Sequence, residues 1–334
     1  TSTCARMDRE MDLSPLLANA GLLLLAVVLD VLFGDPVYRW HPIRLLGSLL
    51  VWTEKRLRSV GADGRLGGGL LFAALTVSWV VPLLAVVVLA GWIHPLLSIA
   101  AHLFSLYSLI ALGDLLKHGD AVDSAAGAGN ISAARIASAQ LVGRDSDRMD
   151  ASACRRAAIE SLAENLVDGF VSPIFWYALA GLPGIAVLKV ASTMDSMVGY
   201  KTAKYLSFGW CGARLDDLLN LIPARLCYLL LAGMAMFLPG CSGLTAARIG
   251  WRQHAIVPGP NAGWSEAAMA GAIQRRLAGP IWESGELVNK VWIGDPSDAV
   301  AGAGADYRRA RLVLLATAGV FVASAVAFIT LMAP

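Results

Sequence analysis

Three stretches between residues 155 and 225 carry side chains suited to metal, phosphate and proton chemistry. In the first, Glu160, Glu164 and Asp168 recur at i, i+4 and i+8, opposite a face carrying Ile159, Leu162 and Leu166. Carboxylates stacked on one helix face repel one another, so a magnesium ion or Arg and Lys partners must offset them. A solvated acidic face, partly paired with Arg156, is the plainer alternative. In the second, Thr193-Met194-Asp195-Ser196-Met197-Val198-Gly199-Tyr200-Lys201 follows Lys189 and precedes Lys204. Asp195 is a charge in apolar surroundings, which is costly and marks function by default; an ion pair with Lys189 or Lys201 would also satisfy it. In the third, Arg214-Leu215-Asp216-Asp217-Leu218-Leu219-Asn220 runs into Pro223-Ala224-Arg225. On a helix, Asp216 and Asp217 lie four and three residues before Asn220, and hard oxygen ligands so spaced suit magnesium carrying phosphates. Asp216 as a helix cap is the bland alternative. It leaves Arg225, just inside the next apolar run, unexplained.

Other signals are weaker. Asp30…Gly34-Asp35-Pro36…His41-Pro42-Ile43-Arg44 reads as a turn at the end of an apolar run. The remaining histidines are scattered, and the five cysteines show neither a CxxC pair nor zinc spacing, so free thiols are expected. Gly199-Tyr200-Lys201-Thr202 echoes the end of a phosphate-binding loop, but the upstream glycine is missing and no Walker A motif occurs in the chain. Ten tryptophans could stack on a large planar ligand or form interfacial belts.

The elements that position these residues are membrane helices. Of 334 residues, 57% are hydrophobic and only 16% charged, well below the charged share of about 25% in soluble domains. No Asp, Glu, Lys or Arg occurs from Leu66 to Gly113, enough for two crossings at about 20 residues each. Five apolar runs read as spans: Leu16–Phe33, Leu70–Trp92, Pro95–Leu112, Leu219–Leu238 and Leu312–Met332. A sixth, Gly169–Leu188, is interrupted by Pro173, Gly181, Pro183 and Gly184. It is either a kinked span, the reading preferred here, or a re-entrant element, since broken helices persist only where protein or a wet cavity satisfies the backbone. The expectation is an all-α polytopic bundle of about five or six spans.

Residues 1–15 read as a tag or disordered start, and no signal-peptide cleavage site follows. The membrane bundle covers 16–238, with helices at 34–69 and 114–168 outside the membrane. A polar insert of short helices and loops fills 239–311, and the last span 312–334. Six Lys and Arg in 34–69, six in 114–168 and eight in 239–311 place these segments on the cytoplasmic side of the cell (inner) membrane. Segment 189–218 then belongs outside, yet it holds Lys189, Lys201, Lys204 and Arg214. Inward folding of this loop is expected. A net charge of +2 gives no reason to expect a nucleic-acid partner.

At this point the residues match a known family. The chain resembles the adenosylcobinamide-phosphate synthases (cobinamide synthases) of cobalamin biosynthesis. The resemblance rests on Asp30…Gly34-Asp35-Pro36, His41-Pro42-Ile43-Arg44-Leu45-Leu46-Gly47, Ala157-Ala158-Ile159-Glu160-Ser161 and Ala163-Glu164-Asn165…Asp168-Gly169. It continues through Asp195-Ser196-Met197…Gly199-Tyr200, Arg214 through Arg225, Pro260-Asn261-Ala262-Gly263-Trp264, Glu266 through Gly271 and Ile293-Gly294-Asp295. These stand in order from about residue 22 to 330. Ser192-Thr193 replaces the family's usual Asn-Thr, and Ser265 a usual proline; neither removes a charged candidate.

The resemblance implies ATP-dependent joining of a carboxylate of adenosylcobyric acid to (R)-1-amino-2-propanol or its O-phosphate. Such a carboxylate needs activation, as by an acyl phosphate, and phosphoryl transfer is catalysed by positioning and charge neutralisation. The expected assignment puts magnesium on Asp216, Asp217 and Glu164 or Asp168. Phosphates fall to Lys189, Lys201, Arg214 and Arg225, and the proton acceptor is Glu160 or Asp195. Asn165, Tyr200, Asn220, His41, Arg44 and Asn261 complete the substrate-binding set, and the corrin is expected near Trp210 and Trp264. The partners implied are the corrinoid, the amino alcohol, the bilayer and other enzymes of the pathway, with homo-oligomerisation left open. A corrinoid or anion transporter and a magnesium-dependent prenyltransferase are the rival readings.

Overall fold

The computed structural model describes residues 14–35, 38–283 and 285–332. The expected N-terminal tail up to residue 13, with Cys4, and Pro36 of the first motif lie outside the described residues. The chain is a helical bundle, and its helix starts are written locally. Asn19 caps α1 (Ala20–Phe33) by accepting the Leu22 N–H at 2.9 Å. His41 Nδ1 caps α2 (Pro42–Ser59), with proline at the first helical position. α3 (Arg65–Leu75) continues through a π turn, Thr76–Val80, into α4 (Val81–Ile93). His94 then caps α5 (Pro95–Tyr107). α6 (Leu112–Gly127), α7 (Ile131–Ala139) and α8 (Ala151–Leu166) follow, the last two capped by Asn130 and Asp150.

By length and composition four helical stretches can cross a membrane: Arg65–Ile93, Pro95–Gly127, Ala151–Val198 and Gly304–Met332. A fifth arises if α10 (Trp210–Leu219) and α11 (Leu221–Ala235), which meet at a 42° bend, count as one. Exposed Leu, Val and Ile stud these helices, as at Val77, Val86, Leu89, Ile93 and Leu331, and the shorter α1 likewise exposes Leu32 and Phe33, the pattern of a surface that faces lipid. α1 is shorter than the expected run Leu16–Phe33, because Asn19 starts it.

The third stretch is not one rod. α8 passes through a π turn, Val167–Val171, into α9 (Ser172–Val198), which breaks at Gly181. Gly181 has φ +63°, and a Cβ there would overlap the Leu16 carbonyl oxygen. Beyond it the chain reverses, because a Cβ on Gly184 would overlap the Trp176 carbonyl oxygen, whereas residues eight apart on a straight helix are about 12 Å apart. Asp168 consequently lies within electrostatic reach of Lys189 and Asp195, residues that a continuous helix would put about 30 Å or more away. The sixth apolar run is thus a helical hairpin with its apex at Gly181, not a kinked span. Segments 114–168 and 189–218 share one end of the bundle. This removes the conflict over Lys189, Lys201, Lys204 and Arg214, and no inward folding of an outer loop is needed.

The insert holds α12 (Gly243–Gln253), α13 (Ala262–Ile273) and an antiparallel hairpin of β1 (Leu277–Glu283) and β2 (Glu286–Ile293). The hairpin is an addition to the expected helices and loops. α13 is buried along its length from Gly263 to Ile273, and Gly271 lets it press against the Thr245 carbonyl of α12. α14 begins at Gly304, earlier than the expected 312, because Asp306 accepts the N–H groups of Gly302 (3.1 Å) and Ala303 (3.0 Å).

Candidate active site

The site is assembled where the helical hairpin, α8 and α10 meet. The π turn supplies Asp168; such turns are rare and recur at functional positions. The same turn offers the Gly169 carbonyl to the Ala111 N–H at 3.0 Å. Asp168 is within electrostatic reach of Asp216, Glu164, Lys189 and Asp195, and Asp195 of Asp217. Asp195 is positioned by Gly199, where a Cβ would overlap the Asp195 carboxylate. α10 packs closely on the returning limb, because Gly212 lies against Met194 and Gly209 against the Val198 carbonyl.

Asp216 Oδ2 accepts the Asn220 amide N–H at 3.0 Å. Asp216 Oδ1 and Asn220 Oδ1 are both buried without a hydrogen-bond partner. Buried orphan acceptors are uncommon, and two side by side mark a place for a cation or donor. Among the described residues no three Asp, Glu, His or Cys side chains are placed to hold a metal ion together, so the expected set of Asp216, Asp217 and Glu164 or Asp168 does not form a ligand sphere by itself.

Glu164 also lines a cavity of about 630 Å³, enclosed by Arg144, Glu160, Tyr200, Pro258, Glu266 and Ala278 among others. Glu266, buried on α13, is a cavity residue that the sequence reading quoted only as part of a motif. Glu160 departs from the acidic stripe. Its Oε2 is 2.6 Å from Arg144 Nη2, and its Oε1 accepts the Ala278 N–H at 2.9 Å, with Arg156 Nε at 3.7 Å. Both oxygens are engaged, so Glu160 clamps the β-hairpin onto α8.

The basic candidates divide in the same way. Lys189 stands inside the cluster. Lys201 is exposed and near Asp217, while Arg214 pairs with Asp217 at 3.5 Å on the surface. Arg225 is a strut: its Nη1 donates to the Asn261 Oδ1 at 3.0 Å, its guanidinium lies 5.1 Å from the Trp264 ring centroid, and Asn261 Nδ2 donates to the Asp217 carbonyl at 2.8 Å. Asn165 donates to Ser161 one turn back, and Arg44 is exposed on the first turn of α2. His41 lies 2.8 Å from Asp35. Trp264 is buried and stacked on His254 at 3.8 Å, so it offers no open face to a corrin; Trp210 is partly exposed with Arg65 over it. The loop after Asp195 is tied down from α2, where Glu54 meets Lys204 (3.2 Å) and Arg58 (2.9 Å). The Tyr205 hydroxyl and Glu54 hold the Lys204 ammonium above its ordinary range. Cys154, Cys211, Cys227 and Cys241 are free thiols.

The sequence pattern of the family described as CobD/Cbib protein matches residues 23–314. The chain belongs to this CobD/CbiB family. Among relatives of this CobD/CbiB-family chain, the cobalamin biosynthesis protein CobD of Pelobacter propionicus is 40% identical over 286 residues, covering 84% of this chain and 87% of that protein. CobD of Rhizobium meliloti is 40% identical over 300 residues (84% and 88%), and the cobalamin biosynthesis protein CbiB of Salmonella typhi 37% over 281 (83% and 88%). No solved structure matches the chain.

Proposed function

We propose that this chain is a membrane ligase of cobalamin biosynthesis, joining a carboxylate of adenosylcobyric acid to (R)-1-amino-2-propanol or its O-phosphate with ATP. The observation that carries the reading is the convergence of Glu164, Asp168, Lys189, Asp195 and Asp216, drawn from three separate segments, beside a cavity of about 630 Å³. Relatives named for cobalamin biosynthesis give the pathway. The donor set fits magnesium, being carboxylate and amide oxygens with two buried acceptors unused. Asp216 and Asn220 would hold the ion through these two oxygens, with phosphate oxygens and water as its other ligands. Bound there, magnesium supplies neutralisation of phosphate charge.

Lys189 then faces the reacting anion from within the bundle, and Lys201 and Arg214 meet phosphates at the rim. Asp195, held by Gly199, takes the proton that the amine loses before it attacks. Glu160, Arg144 and the β-hairpin close the cavity wall. The basic segments belong on the cytoplasmic side of the inner membrane, where ATP is available. The test is ligation by detergent-purified protein with each amine, with and without ATP. Amide formation only with ATP supports the reading. Corrinoid uptake into vesicles without any amide product would favour a transporter and defeat it.

A further inference from the structure

A second cavity, of about 200 Å³, opens between the β-hairpin and the connection from α7 to α8. Three arginines line it, Arg144 and Arg148 from the connection and Arg156 from the second turn of α8, while Ile281, Trp282 and Leu287 of the hairpin supply an apolar wall. The two sides are tied together. The Asp145 N–H donates to the Trp282 carbonyl at 3.0 Å, and the Gly285 N–H donates to Asp145 Oδ2 at 2.7 Å. Arg135 Nε on α7 donates to the Met149 carbonyl at 2.8 Å and fixes the far end of the connection. Arg144 and Ile281 also line the cavity of about 630 Å³, so the two spaces share a wall.

The arginines have more donors than the protein uses. Arg144 and Arg156 are 11% and 12% exposed and share one acid, Glu160, at 2.6 and 3.7 Å. The Nε of each is buried without a hydrogen-bond partner. Arg148 is exposed and among the described residues pairs with no acid; its guanidinium lies 4.1 Å from the Trp282 ring centroid. The two aspartates at this cavity are held by backbone, Asp145 by Gly285 and Asp150 as the cap of α8, accepting the Ala153 N–H at 2.7 Å. Buried donors without acceptors are uncommon, and here they are the converse of the orphan oxygens on Asp216 and Asn220. A ligand rich in acceptor oxygens answers them. Guanidinium forks pair bidentately with phosphate. The cavity is smaller than the roughly 300–1,000 Å³ of a pocket for a whole drug-sized ligand, so it takes a charged group and not a corrin.

We propose that Arg144, Arg148 and Arg156 form a phosphate subsite, which takes the phosphate group of a substrate whose remainder lies in the adjoining larger cavity. Two substrates of the ligase reading can carry such a group, ATP and the O-phosphorylated amine. The inference deepens that reading and rests on it for its kinetic test only.

The first test is binding, measured by calorimetry on the full chain in detergent with three probes: O-phosphorylated 1-amino-2-propanol, ATP and inorganic phosphate. Arg148→Gln removes an exposed side chain that strands no acid, and Arg156→Lys keeps the charge and removes the fork. At least one probe binds the unaltered protein, and its Kd rises about tenfold or more in both variants, the scale of a hydrogen bond to a charged group. Weakening confined to the phosphorylated amine names the amine as the source of the phosphate, and weakening confined to ATP names the nucleotide. Arg252→Gln, which removes an exposed positive charge from α12, changes Kd by less than about twofold. Binding of none of the probes, a Kd unchanged in both variants, or an equal loss in Arg252→Gln overturns the proposal. In ligation, Arg148→Gln raises the KM for the phosphate-bearing substrate about tenfold; a fall in kcat with every KM unchanged overturns it too. Should binding respond as expected while the unaltered protein forms no amide under any condition, the ligase reading fails and the phosphate subsite stands.

Discussion

Two clusters of charge inside the same bundle are built on opposite plans. Around the start of α14, every acid has its base. Asp306, 2% exposed, takes Arg275 at 3.0 Å, Arg309 at 2.6 Å and two backbone N–H groups. Asp120 takes Arg311 and the Tyr307 hydroxyl, both at 2.9 Å, and Asp123 takes Arg155 at 2.6 Å. At the helical hairpin, Asp168 and Asp216 have Lys189 as their nearby interior cation and Asp217 has Lys201 and Arg214 at the surface, while Glu164 and Asp195 bring further carboxylates within reach of Asp168. The first cluster is balanced, whereas Asp168 in the second has three carboxylates and one lysine within electrostatic reach. Charge balance, more than burial, separates scaffold from site.

The largest effect expected from this contrast is on turnover. Asp216→Ala should lower ligation by about a hundredfold or more, the scale of removing one charge-stabilising group, while the melting temperature stays level or rises. A clear loss of melting temperature would show that the hairpin acids are structural. Asp306→Ala should do the reverse, costing about 3–5 kcal/mol by stranding Arg275 and Arg309, with kcat of the folded fraction within about twofold; denaturant titration and kinetics together decide it. Gly181→Ala should cost about 1–3 kcal/mol from strain at positive φ, plus the overlap with Leu16. Cysteines placed at residues 150 and 201 should nonetheless label from the same side of sealed vesicles, and labelling from opposite sides would refute the hairpin. The smallest effect belongs to Arg214→Ala. Its pair with Asp217 is exposed, so stability should change by less than about 1 kcal/mol, and only the KM for ATP should rise. A fall in kcat with KM unchanged would move Arg214 into the reacting cluster.

Much of the site was legible because each segment advertises itself locally. Asp216 and Asn220 sit four apart on a helix and do pair, and Asp195 in an apolar stretch does lie in a charged cluster. Other positions misled for equally local reasons. Glu160 shares a periodic stripe with Glu164 and Asp168, yet Arg144 and the β-hairpin claim it, and the π turn at Val167–Val171 takes Asp168 out of helical register. Arg225, expected at phosphates, donates through Nη1 to Asn261 and lies over Trp264, contacts with distant segments that spacing does not reveal. The β-hairpin had a signal, Ser284-Gly285 between β-rich runs, that the expectation of helices and loops passed over.

Composition and hydropathy alone determined that this chain is a polytopic helical membrane protein, because the bilayer imposes length and polarity rules that any twenty-residue window reveals. Ordered motifs spread over most of its length determined its family. Only the tertiary structure decided that Asp168 comes within electrostatic reach of Lys189 and Asp216, and that 189–218 shares an end of the bundle with 114–168. Those facts depend on one reversal at Gly181. A glycine in an apolar run reads equally as a kink or a turn until the packing of Leu16 and Trp176 against it fixes which.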